Sequence, residues 1–378
     1  MIKFFAAVLS ALILLAPAYA DEAPRTQWNV HASEPLDALL LLGAASGDLL
    51  QAEYYGEDIA WVRGELPAQS VEALDRLGQQ IRDSGALTGP LLALIFSAGP
   101  IDSYADLIVS ADDPEGRLRP SFEASPYWRA ERWPSVVAAM PAISQILRDL
   151  EAAGFRERWR EQVAPLVEAG VVRVREAVQP YDLIPEQERL LGRALEPGIE
   201  VIVLHYSQPY GIRITGQRFL NHHHYDAATQ LRTAAHEIFH PPYDMQDPDM
   251  VTRLRALEAD AWMRAIVEDH DPRFGYNSFE GVVNEDSTQA LDQIVSERLG
   301  FARDPGERWR RADGGMHMLA AALYHAMKED GFDRRGGVYR DWLASALDRG
   351  LLTPAEVRRR AAAIVGEEAA AIWDRPVN

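Results

Sequence analysis

His236-Glu237-Ile238-Phe239-His240 places two imidazoles and a carboxylate within five residues of a 378-residue chain. The run that holds them, Gln230 to His240, is Ala-rich and reads as one helix. Residues four apart share a helix face, so both imidazoles point one way and can grip one metal ion. Glu237 stands one step round the helix, within reach of a water on that ion. The residue types suit zinc. Neutral imidazole is a good ligand, and a catalytic zinc site takes three protein ligands and keeps the fourth position for water. Zinc brings the pKa of that water from near 16 to about 7. Glu237 is then placed to act as general base and to pass the proton to a leaving amine.

This arrangement resembles the H-E-x-x-H motif of zinc metallopeptidases. The likeness extends over roughly residues 199–300, and the five-residue motif is its specific part. His240 is followed by Pro241-Pro242-Tyr243, not by a third histidine at the short metzincin spacing. The chain is therefore similar to the gluzincin type, in which a glutamate on a later helix completes the site. Two glutamates compete for that position. Glu258 lies 18 residues after His240, near the thermolysin-like spacing, but Trp262 stands where those enzymes have a supporting Asp, and Arg255 offers Glu258 an exposed helical ion pair. Glu285 lies on a run with no Lys or Arg before Arg298, whose polar stripe is Glu285, Thr288, Gln289 and Asp292. A solvated face normally carries Lys, Arg and Glu, whereas short uncharged groups fit an enclosed polar site. The reading favours Glu285, with Asp286 and Asp292 as carboxylates that hold His236 or His240 in the correct tautomer.

Other residues near the motif are weaker candidates. His317, in Asp313-Gly314-Gly315-Met316-His317, opens an apolar helix and is the candidate donor to the oxyanion formed when water attacks a carbonyl; packing is its bland alternative. Tyr206, Tyr210 and Tyr243 are lesser candidates for that task. A histidine triplet can bind metal at a surface, but His222-His223-His224 reads first as a polar turn between strand and helix.

These residues need elements to position them. Residues 34–180 read as almost wholly helical, with an ordered loop over 111–134 that contains Phe122, Tyr127 and Trp128. Strand-like sequence begins near Pro197: residues 199–204 form one strand, 210–215 its partner, and 216–221 a short third. Helices are predicted over 248–268, 281–299, 314–329, 338–348 and 354–373. The fold class is α+β, predominantly helical, with a small sheet before the motif helix; the division is a leader over 1–20, a helical region over 21–196 and the motif-bearing region over 197–378. By the zincin resemblance, the edge strand beside the site pairs with extended substrate through backbone hydrogen bonds.

The N-terminus reads as a signal peptide, with Lys3 before an apolar Phe4–Leu15 core and an Ala18-Tyr19-Ala20 cleavage site that gives a mature start at Asp21. The apolar run is short for a membrane span. There is no cysteine, which removes disulfides, thiolate ligands and a Cys nucleophile and suits a periplasmic or secreted chain. The net charge of −19 repels phosphate backbones and anionic lipid surfaces, which argues against nucleic acid or a membrane as partner. The function expected is zinc-dependent hydrolysis of peptide bonds, with one Zn2+ per chain. Two alternatives stay open: a non-catalytic zinc-binding scaffold, against which the presence of Glu237 argues, and a hydrolase of non-peptide amides such as cell-wall components.

Overall fold

The structure is a computed structural model that describes residues 24–374. The leader over 1–20 and the expected cleavage point lie outside the described residues. Four strands form one mixed sheet: β1 (Gln27–Ala32), β2 (Gly198–Leu204), β3 (Ile212–Ile214) and β4 (Arg218–His222), in the order β1-β2-β4-β3. β1 and β2 are parallel from Gln27 beside Gly198, β2 and β4 are parallel up to Leu204 beside His222, and β3 is antiparallel to β4.

Two features of this sheet differ from the sequence expectation. Segment 210–215 does not partner 199–204; its strand, β3, pairs with β4. Gly216, at a φ of +80°, turns the chain tightly and folds β3 back on β4 as a hairpin. Phe219 to His222 are buried throughout, so β4 takes the interior place and β3 the edge. The second difference is β1. The region expected to be helical supplies a strand, so residues 27–32 and 197–222 share one sheet. Val30 is the only buried residue of the six in β1, and such a strand has no apolar alternation to announce it.

Successive strand residues face opposite sides of a sheet. Val201, Ile202, Val203 and Leu204 are all fully buried, so β2 is covered on both faces. Helix α1 (Glu34–Ala45) packs on β2, and α2 (Ala164–Val178) packs on β1 and β2. α1 starts at Ser33, whose hydroxyl accepts from the Leu36 N–H, and is buried from Pro35 to Ala45. α3 (Ala227–Glu237) packs on β4 and α2. α4 (Pro248–Glu258) lies outside this group. α5 (Phe279–Leu299) packs against α3 and against α6 (Met318–Asp330), which in turn packs on α7 (Pro354–Val365).

Several helix boundaries shift for local reasons. The predicted 248–268 helix breaks at Asp260, whose side chain caps a new helix by accepting from the N–H groups of Trp262 and Met263. The predicted 354–373 helix stops at Val365, before Gly366. The loop over 111–134 contains two one-turn helices, Pro114–Arg117 and Arg119–Glu123, with Phe122, Trp128 and Trp133 packed together behind them. Among the described residues no helix is long and apolar enough to cross a membrane.

Candidate metal centre

Asp226 starts the motif helix by accepting from the Thr229 N–H. The helix ends at Glu237, not at His240. Pro241 and Pro242 have no N–H to continue the ladder, and a proline disfavours helical geometry in the residue before it. The last turn tightens instead. Phe239 N–H bonds the His236 carbonyl at 3.0 Å and His240 N–H the Glu237 carbonyl at 3.3 Å. Arg213 on β3 donates to that same Glu237 carbonyl at 2.6 Å, which ties the edge strand to the helix end.

This tightened turn still brings the two imidazoles together: His236 Nε2 and His240 Nε2 are 2.9 Å apart. Glu285 arrives from α5, with Oε1 3.4 Å from His236 Nε2 and Oε2 3.3 Å from His240 Nε2. These three residues form a group able to hold a metal ion. The competitor Glu258 is exposed at the end of α4 and does not belong to it. Bonds of about 2.0–2.2 Å in a tetrahedron set its ligand atoms about 3.3 Å apart. The observed spacings of 2.9, 3.3 and 3.4 Å fit that figure, and two imidazoles with one carboxylate form a donor set suited to zinc.

The surroundings fix these ligands. Asp292 Oδ2 lies 2.7 Å from His236 Nδ1, so Nδ1 carries the proton and Nε2 presents its lone pair. Arg308 holds Asp292 in turn and also donates to Gln293. Thr288 Oγ1 is 3.4 Å from His240 Nδ1. Gln289 donates to Glu285 Oε1 at 2.9 Å, and Trp309 Nε1–H donates to the Gln289 oxygen at the same distance. Of the two expected supporting carboxylates, Asp292 serves His236, whereas Asp286 serves a different histidine.

That histidine is His317, and its expected role needs correction. It is 1 % exposed, with Nδ1 2.6 Å from Asp286 and Nε2 2.7 Å from Asp313. Both ring nitrogens are engaged by carboxylates, which leaves no N–H for a substrate oxygen. Burial pulls its pKa down, but Asp286 and Asp313 outweigh this and raise it to about 10. His317 is thus a buried imidazolium that braces the site from behind.

The lesser candidates also find other partners. Tyr206 is buried beside Asp37, the Tyr210 hydroxyl bonds Asp48, and Tyr243 packs on Tyr339. Tyr276 is the residue that sequence reasoning missed. It lies beside Glu285, and burial first, then the surrounding carboxylates, keep its hydroxyl protonated far above the usual range. Tyr276 lines a cleft of about 450 Å³ together with His236, Glu237, Gly211 and Tyr210. It sits at a φ of +58°, a left-handed conformation uncommon outside glycine; nothing in the sequence signals that conformation.

Glu237 is buried, and desolvation raises its pKa despite the pull of His236, His240 and Arg213. Gly211 borders it closely. A Cβ there would stand 3.0 Å from Glu237 Oε1 and 2.5 Å from Thr233 Cγ2, so a larger residue must displace the carboxylate or the Thr233 methyl. On the other side, His240 and Arg213 line a larger cavity of about 1510 Å³. The metal group therefore stands between two concavities. Comparison with known proteins adds no relative, since no family model, curated protein or solved structure matches the chain.

Proposed function

We propose that the protein is a zinc-dependent hydrolase of the gluzincin type that cleaves peptide bonds, and that the chain is exported through its N-terminal leader. The observation that carries this reading is the convergence of His236, His240 and Glu285 within about 3.3 Å of one another with Glu237 beside them in an open cleft. His236, His240 and Glu285 would hold the ion. When bound, zinc supplies Lewis-acid activation of water and polarisation of the scissile carbonyl.

The remaining chemistry falls to the chain. Glu237, made more basic by burial, accepts the proton of the attacking water and returns it to the leaving amine. Tyr276, kept protonated, turns its hydroxyl from Glu285 to the oxyanion that forms on the substrate. Asp292 and Arg308 keep His236 in one tautomer throughout. The Pro209–Gly211 segment that leads into the edge strand β3 borders the cleft, and there an extended peptide can add to the sheet through its backbone.

The test is turnover on a mixed peptide library alongside metal content. Glu237→Gln should keep the metal and lose on the order of 10²–10⁴ in turnover. Tyr276→Phe should keep the metal and lose about 10²–10³ in kcat. Equal turnover in wild type and Glu237→Gln on any cleaved substrate would refute the assignment of the base.

A further inference from the structure

A second group of histidines lies at the carboxyl ends of β2 and β4. His205 follows β2, His222 closes β4 and His223 follows it. Parallel pairing sets Leu204 beside His222, so the next residues along, His205 and His223, emerge together. His205 Nδ1 and His223 Nε2 are 3.1 Å apart, close to the edge of a tetrahedron with bonds of about 2.0–2.1 Å. One ligand atom from each of His205, His222 and His223 lies within 4.8 Å of the others. This is the arrangement already seen at His236 and His240, with imidazole in place of the carboxylate.

We propose that His205, His222 and His223 form a second metal site, which takes a borderline-soft divalent cation of the zinc class through three neutral imidazoles.

The protein around the group orients the rings as ligands. The second ring nitrogen of His222 bonds the backbone of His205, while its Nδ1 accepts from the His224 N–H at 3.1 Å. An imidazole nitrogen has one lone pair, so an ion bound through His222 Nδ1 would take the place of the bond from the His224 N–H. The His205 backbone is pinned by Asp37 on α1, which accepts from the N–H groups of His205 and Tyr206 at 2.8 and 2.9 Å. His223 is pressed by Gly170 on α2, where a Cβ would come within 2.7 Å of the His223 Cβ. Burial favours the neutral form of all three; at His222 and His223 the neighbouring rings add to it, while at His205 Asp58 opposes it without reversing it. No carboxylate completes the set, unlike at Glu285, so the ion would retain its charge and an open position. The exposed His224 lies beside the group, its ring centroid 4.0 Å from that of His223. An ion here clamps the ends of β2 and β4 just before Asp226 caps the motif helix.

The experiment is a count of metal per chain on full-length mature protein equilibrated with micromolar zinc, by elemental analysis. Wild type should saturate at two ions. His236→Ala/His240→Ala should hold one, and His205→Ala/His223→Ala should also hold one. Cobalt loaded into the His236→Ala/His240→Ala variant should give visible d–d bands of a nitrogen-ligated site, a readout that survives if the His205 variant does not fold. If the His236→Ala/His240→Ala variant binds neither zinc nor cobalt, or if the His205→Ala/His223→Ala protein still carries two ions, the second site is overturned. A wild type that holds a single ion, lost on changing His205 and His223 but kept on changing His236 and His240, supports this site and sinks the peptidase reading instead.

Discussion

At the scale of single residues, chemistry was more legible than geometry. His236, Glu237 and His240 announce themselves by type and spacing. Glu285 was favoured over Glu258 because its neighbours are short polar groups, and the structure buries Glu285 between the imidazoles while leaving Glu258 exposed. Tyr276 was not legible. It is one of 13 tyrosines, and the positive φ that turns it to the cleft leaves no trace in composition or period. Gly211 was equally silent, since its value lies in what is absent beside Glu237. Gly211→Val is accordingly expected to displace the Glu237 carboxylate or Thr233 without touching a ligand. Metal content should stay at the wild-type level, while kcat falls by at least the 10²-fold typical of a misplaced general base. Wild-type kcat in a folded Gly211→Val protein would show that the 3.0 Å approach does not constrain the base.

At the scale of elements, α5 explains why a sequence can signal a site without revealing its plan. Every residue from Glu285 to Ser296 is buried, although two thirds of them are polar. A helix buried on all sides is ordinarily apolar all round; here the carboxylates and Gln289 find partners in other elements. Glu285 meets α3, Asp286 meets His317, Gln289 meets Trp309, and Asp292 meets His236 and Arg308. The absence of Lys and Arg was visible in the sequence. Which partner each carboxylate would find was not, because those partners come from 16 to 56 residues away. The departure of Asp286 from its expected role, while Asp292 keeps its own, follows from this. Asp292→Ala should free the His236 ring to turn and should weaken zinc binding by about 10–100-fold. The same substitution leaves Arg308 buried without its carboxylate, at a cost of about 3–5 kcal/mol. Competition with a chelator of known affinity, read alongside thermal unfolding, separates the two effects. Unchanged zinc affinity in the Asp292→Ala protein would make Asp292 a partner of Arg308 alone.

At the scale of the whole molecule, the sheet was the least legible part. Pairing β1 with β2 joins residues about 170 apart, and no local pattern specifies such a contact. The helical majority was legible because apolar periodicity is local. With no cysteine, the assembly relies on packing and on buried polar networks such as the one around His317. It links α5 through Asp286, the turn at Asp313 and the start of α6, where the Ala320 N–H donates to Asp286 at 3.0 Å. Its contribution to stability has a definite sign with pH. Burial works against the imidazolium, yet the two carboxylates raise its pKa from about 6.5 to about 10 in the folded protein. Below pH 6.5 the ring is charged in both folded and unfolded chains, and the stabilisation is fully present. Between about 6.5 and 10 the unfolded chain has released the proton and the folded chain has not, so stability falls as pH rises and levels off above the folded value. His317→Gln keeps an amide donor but cannot titrate. At fixed zinc concentration, the unfolding temperature of wild type should therefore drop more steeply between pH 7 and 10 than that of His317→Gln, with the gap between the two proteins narrowing toward pH 10. Parallel slopes would mean that the ring is already neutral at pH 7.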